Sequence, residues 1–300
     1  MSRQRLSTWA IVSVAAAAGA GASGCKKAGS DTDQAQVGDA VGEMMASADE
    51  SLQGGTTTAA LETVPVLRMP DALRAPAWRR AMGTLLPSAH AAACSGVAFS
   101  SCSNGARTRT FSTCDIGDAT LDGMVTLTFS NAALCAMPAT GDSVTRTADF
   151  TLTGPYGGTL QVTSPGGGQT LTRTADGFTY HVGGMERVLT GPGGRTLFDV
   201  ATDTTSDIVI TGSSRSDLVI VSGALEVHHR LAGYTVTLSP SNLTWTPTCN
   251  CATSGTLTGT VSGGPHDGKS ASVTLTGCGE ATVTIGTTTE SVTLDRCAAL

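Results

Sequence analysis

An all-β fold, a large antiparallel meander forming a sandwich or a strongly curled sheet, is predicted for residues 94–300, and three observations carry it. Apolar residues alternate strictly with Thr and Ser over many short runs. Gly-containing breaks of hairpin type separate those runs. Hydrophobic residues make up 40% of the chain against only 14% charged, enough to bury the one apolar face of such a sheet.

The elements follow from the N-terminus. Arg3 and Arg5 precede an apolar stretch, Leu6 to Ala22, that is too short and too rich in Ala and Gly to span a bilayer as a helix. It reads as an export signal, residues 1–24. The run Ala22-Ser23-Gly24-Cys25 resembles the lipobox of bacterial lipoproteins, with Ala22 where that family usually carries Leu. The resemblance covers only residues 1–25. It implies a lipidation site at Cys25, which becomes the acylated first residue of the mature chain and anchors it to a membrane. In the same family an Asp after that cysteine commonly retains the protein at the inner membrane. Lys26 stands there instead, which implies the outer membrane.

Residues 25–60 are polar, carry Asp31, Asp33, Asp39, Glu43, Asp49 and Glu50, and end in a Gly-Gly-Thr-Thr-Thr run. They are expected to form a flexible tether with an end-to-end distance of roughly 30 Å. Val37, Val41, Met44, Met45, Ala48 and Leu52 fall on one helical face, but Gly38 and Gly42 weaken that helix to a transient one. In the linker, residues 61–93, Asp71 to Leu86 has helical spacing, with Asp71 placed to cap it and Pro76 near its start. That helix either packs on the main domain or lies on a membrane or partner.

From Cys94 onward the alternation begins. Val125, Leu127 and Phe129 share one face and Thr126 and Thr128 the other, and the pattern returns around Tyr180, Val236, Val261, Val273, Val283 and Val292. The stretch from Thr145 to Leu160 recurs from Thr172 to Leu197, with about ten extra residues, Tyr180 to Leu189, expected to add a hairpin. An integral outer-membrane barrel is excluded, because the runs are mostly five to eight residues where about ten are needed and aromatics are only 4% of the chain.

Nine cysteines include Cys25, leaving eight: Cys94, Cys102, Cys114, Cys135, Cys249, Cys251, Cys278 and Cys297. In an exported chain an even set implies disulfides. Sequential hairpins keep cysteines close in sequence close in space, so two bridges within each group of four and none between the groups are expected. Cys249 and Cys251, two residues apart on a strand, should leave it in two separate bridges rather than share a metal with Cys278 or Cys297.

Little else carries chemistry. His181, His228, His229 and His266, with Glu186 or Glu226 nearby, read as surface or structural groups, and a metal-assisted hydrolase built on His181 or His228 is the weakest functional reading. Arg107, Arg109, Arg146 and Arg173 are assigned to solvated polar strand faces. No nucleophile elbow, phosphate loop or zinc-protease motif is present, so no catalytic residue, metal or cofactor is assigned. A net charge of -6 without a basic block in the mature chain excludes nucleic acid as a partner. The expectation is a non-enzymatic, lipid-anchored envelope protein with a binding, adhesive or structural role. Its partner would be the membrane, with any protein or glycan unidentified. The alternative is a carrier of a lipid or other apolar ligand between β-layers.

Overall fold

In a computed structural model, residues 32–56, 96–116, 118–294 and 296–300 are described. The signal segment, Cys25, Cys94 and the linker helix around Asp71 lie outside them. Fifteen strands form one antiparallel sheet, and the expected meander is its path. They are β1 (Val97–Phe99), β2 (Ala106–Ile116), β3 (Ala119–Phe129), β4 (Ser143–Thr153), β5 (Thr159–Thr163), β6 (Gly168–Arg173), β7 (Gly177–Gly183), β8 (Met185–Thr190), β9 (Thr196–Thr211), β10 (Val219–His229), β11 (Tyr234–Trp245), β12 (Ala252–Gly263), β13 (Ser270–Gly277), β14 (Glu280–Ile285) and β15 (Thr288–Thr293). All the pairings are antiparallel, and the sheet curls about the one α-helix among the described residues, α1 (Asp33–Thr56).

Tyr180 to Leu189 does not form the extra hairpin expected of it. β7 and β8 run on through Gly184 and lie end to end against β9, while β5 and β6 lie end to end against β4. Two long strands are thus each broken once, and the breaks meet. A Cβ on Gly166 would stand 2.5 Å from the Gly183 carbonyl oxygen, and Gly184 has a φ of +71°. Only glycine permits that backbone approach.

Other strands are longer than their alternating runs suggested: β2, β3, β4 and β10 have 11 residues, β11 and β12 have 12, and β9 has 16. Length alone therefore gives no reason to exclude a membrane barrel. The faces do. Inward positions such as Leu121, Val125, Leu127, Val236, Leu257 and Val283 are fully buried, whereas β11 to β15 turn rows of hydroxyls outward. Ser239, Thr258, Ser272, Thr284 and Thr289 stand opposite one another across five strands, as do Ser241, Thr256, Thr274, Thr282 and Ser291. A lipid-facing barrel needs an apolar band on that side.

The largest correction concerns the expected tether. Of its residues, Asp33–Thr56 form a helix, and every residue from Gln34 to Asp49 is buried. The Thr32 hydroxyl caps its start, accepting from the Ala35 N–H at 3.2 Å. Val37, Val41, Met44, Met45, Ala48 and Leu52 form the apolar stripe that the spacing shows, and all are buried in the main core. Gly38 and Gly42, which cost roughly 1 kcal/mol each in helix propensity, mark where the chain after β14 presses on the helix. A Cβ on Gly38 would meet Val292 Cγ2 at 2.8 Å, and one on Gly42 would meet Leu294 Cβ at 3.0 Å. They are contact residues rather than helix breakers.

Cys102 pairs with Cys135, Cys249 with Cys278, and Cys251 with Cys297, at Cα separations of 5.9, 5.8 and 5.4 Å. Cys114 is also disulfide-bonded. These three pairs fall within the two groups, and Cys249 and Cys251 leave in separate bridges. After β15 the chain crosses the sheet end, where Cys249 and Ala299 form an isolated bridge, and the sulfurs of Cys251 and Cys297 lie 3.8 and 3.7 Å from the Gly42 carbonyl. Non-reducing peptide mapping should recover these three pairs. Serine replacement of Cys251 and Cys297, which close a loop of 46 residues, should cost about 3–4 kcal/mol in chemical denaturation.

Candidate functional site

Among the described residues, the densest chemistry lies between α1 and the sheet. Glu43 and Glu50 sit two helical turns apart on α1, on one face. Arg109 on β2, Arg146 on β4, Arg187 on β8 and Arg296 after β15 all point inward to that face. Arg109 and Arg146 are 1% and 0% exposed, correcting their assignment to solvated strand faces. Strand parity explains this. Arg109 shares its face with Phe111, and Arg146 shares its face with Val144, Ala148 and Phe150. Arg107 and Arg173 are only partly buried, and their guanidiniums lie over Phe129 and Phe178. Parity was the signal available for Arg109, Arg146 and Arg187; Arg296 follows the last strand and has none.

The contacts are specific. Glu50 accepts from Arg109 through one oxygen; its other oxygen accepts from Arg146 Nε at 2.9 Å and Arg296 Nη2 at 3.3 Å. Glu43 Oε2 lies 3.1 Å from Arg296 Nε, and its Oε1 accepts the Ser47 hydroxyl at 2.9 Å. Arg146 Nη1 donates to Gln169 Oε1 at 2.9 Å. Burial pushes the Glu43 carboxyl upward, but Arg296, Arg146, Arg187 and the Ser47 hydroxyl outweigh it and hold it below the ordinary carboxylate range. Desolvation, reinforced by Arg146 and Arg296, lowers Arg109 to about 9; desolvation also lowers Arg296 to about 10 against the opposing pull of Glu43, so both remain cationic at neutral pH. Toward its C-terminus α1 is held again, where Arg215 clasps Asp49 at 2.8 and 2.7 Å.

At its N-terminus Asp33 meets His266 Nε2 at 3.0 Å and His229 Nε2 at 3.6 Å. His229 Nδ1 accepts from the Ala232 N–H at 3.1 Å, and the Tyr234 ring lies against it, tilted, with centroids 4.9 Å apart. Burial lowers the His229 pKa below 6.5 despite the opposing pull of Asp33 and Asp199. A depressed folded value means that its stabilising contribution is complete above 6.5 and is lost as pH falls through the folded pKa. Thermal unfolding midpoints should therefore fall on acidification below pH 6.5, and His229→Gln should flatten that fall.

The remaining candidates stay apart. His181, half exposed, reaches Asp207 and Thr204, each at 3.1 Å. His228 bonds Thr235 at 3.0 Å and lies 3.5 and 3.6 Å from Asp203 and Glu226. No group of three or more His, Cys, Asp or Glu among the described residues is placed to hold a metal. A surface recess of about 200 Å³ lies between the β6–β7 and β9–β10 turns, lined by Arg173, Asp176, Phe178, Ser213 and Asp217. It is smaller than most ligand pockets. The buried cluster locks α1 to the strands by charge. Compared with protein-family models, curated proteins and solved structures, the chain matches none.

Proposed function

We propose that this chain is a lipid-anchored cell-envelope protein, attached through Cys25 and directed to the outer membrane, whose β-domain has a non-enzymatic binding, adhesive or structural role. The observation that supports the non-enzymatic role is the occupancy of the interior. The space that a carrier or catalyst would offer to a ligand holds α1, bound by paired charges and by methionines 0–1% exposed. What the fold presents outward, over β11 to β15, is a neutral surface of Ser and Thr. Such a face suits a module that stays soluble beside a membrane, since it offers neither a charged field nor an apolar patch.

Metabolic labelling tests the anchor. Labelled palmitate should enter the wild-type chain and not Cys25→Ala, which should also stay unprocessed, and fractionation should place only the wild type in the outer membrane. Palmitate in the mutant, or a mature chain that begins elsewhere, contradicts the reading. Native mass spectrometry of the purified protein tests the role: a lipid that copurifies at one per chain would favour the carrier.

A further inference from the structure

We infer that the interior holds a small monovalent anion, chloride in size and charge, among Arg146, Arg187, Arg296 and Tyr180. Both glutamates at the cluster are engaged, Glu50 by Arg109, Arg146 and Arg296, and Glu43 by Arg296 and Ser47. Donors are left over. Arg146 Nη2, Arg187 Nε, Arg296 Nη1 and the Tyr180 hydroxyl are buried with no hydrogen-bond partner. Arg146, Arg296 and Tyr180 are each fully buried in the sense that matters here, beyond reach of bulk solvent.

These groups come from adjoining places. Gln169 accepts from Arg146 Nη1 and reaches Met185, two residues before Arg187, and it stands opposite Val182, two residues after Tyr180, while Arg146 and Arg296 share one oxygen of Glu50. Three guanidiniums therefore share two carboxylates, one of which also serves Arg109. A water molecule would satisfy leftover donors but not the leftover charge, and buried ions persist only when paired. Deprotonation is no escape, since Arg296, lowered to about 10, stays charged at neutral pH. Tyr180, whose ionisation burial suppresses, supplies a neutral O–H donor rather than a competing anion. A chloride takes up N–H and O–H donors without fixed directionality, so it suits donors that come from three strands and a terminal segment.

Crystals of the full mature chain grown with bromide in place of chloride test this. An anomalous peak should stand in contact with the Arg146 and Arg296 guanidiniums. In solution, replacing chloride by gluconate at equal ionic strength should lower the thermal midpoint of the wild type. Tyr180→Phe keeps the ring and its packing, and should lose most of that chloride-dependent shift while folding normally. An absent peak at the cluster overturns the inference, as does a midpoint indifferent to the halide.

Discussion

Glu43→Ala should lower the unfolding free energy by about 3–5 kcal/mol, the cost of breaking a buried ion pair from one side. The reason is asymmetry. The substitution removes the carboxylate that Arg296, Arg146 and Arg187 all face, and leaves their charges in the core. Urea denaturation should show a lower midpoint with an unchanged slope. Glu43→Gln, which keeps the shape and the bond from Ser47, should recover little, because charge rather than volume is missing. A loss as small as a surface ion pair gives, about 1 kcal/mol or less, would mean that the arginines have other acceptors. Acid has the same effect: the Glu43 pKa is lowered on folding, so its contribution is present above 4.5 and lost as pH falls through the folded value.

Deleting Asp33 to Thr56 should abolish cooperative folding of the β-domain rather than merely free it from its anchor. Without α1, the inward faces of β3, β4, β6, β9, β14 and β15 lose their packing partner, and the sheet has no second layer against which to bury them. The deletion product should aggregate or bind hydrophobic dyes. Point substitutions give the graded version. Met44 and Met45 are consecutive, about 100° apart around the helix, and are 1% and 0% exposed. Alanine at either should cost about 2–5 kcal/mol in denaturation. A helix lying on the outside of the domain would lose stability at only one of the two.

The sheet was legible because its signal is local: alternation in β3, β4 and β11 to β15 fixes which residues face inward, and glycine breaks fix where hairpins turn. Within-group cysteine pairing was legible for the same reason. The helix was not. Its stripe from Val37 to Leu52 can be read in the sequence, but its acids suggest solvent until they are matched with arginines far along the chain. Glu50 meets Arg109, Arg146 and Arg296 across separations of 59, 96 and 246 residues. Gly38 and Gly42 misled for a related reason, since helix propensity counts their cost and not the close approach of Val292 and Leu294. The inward arginines were half legible. Parity places Arg146 with Val144 and Phe150, yet an isolated arginine on a polar-looking strand suggests solvent unless its acidic partner is known.

Hydrogen–deuterium exchange at peptide resolution on the purified mature chain tests the central claim, that α1 is the core around which the sheet is wrapped, most directly. Amides from Val37 to Leu52 should exchange as slowly as those of β3, β4 and β14, opening only with global unfolding. Exchange of that segment within seconds, with the strands still protected, would show it to be a tether and contradict the account.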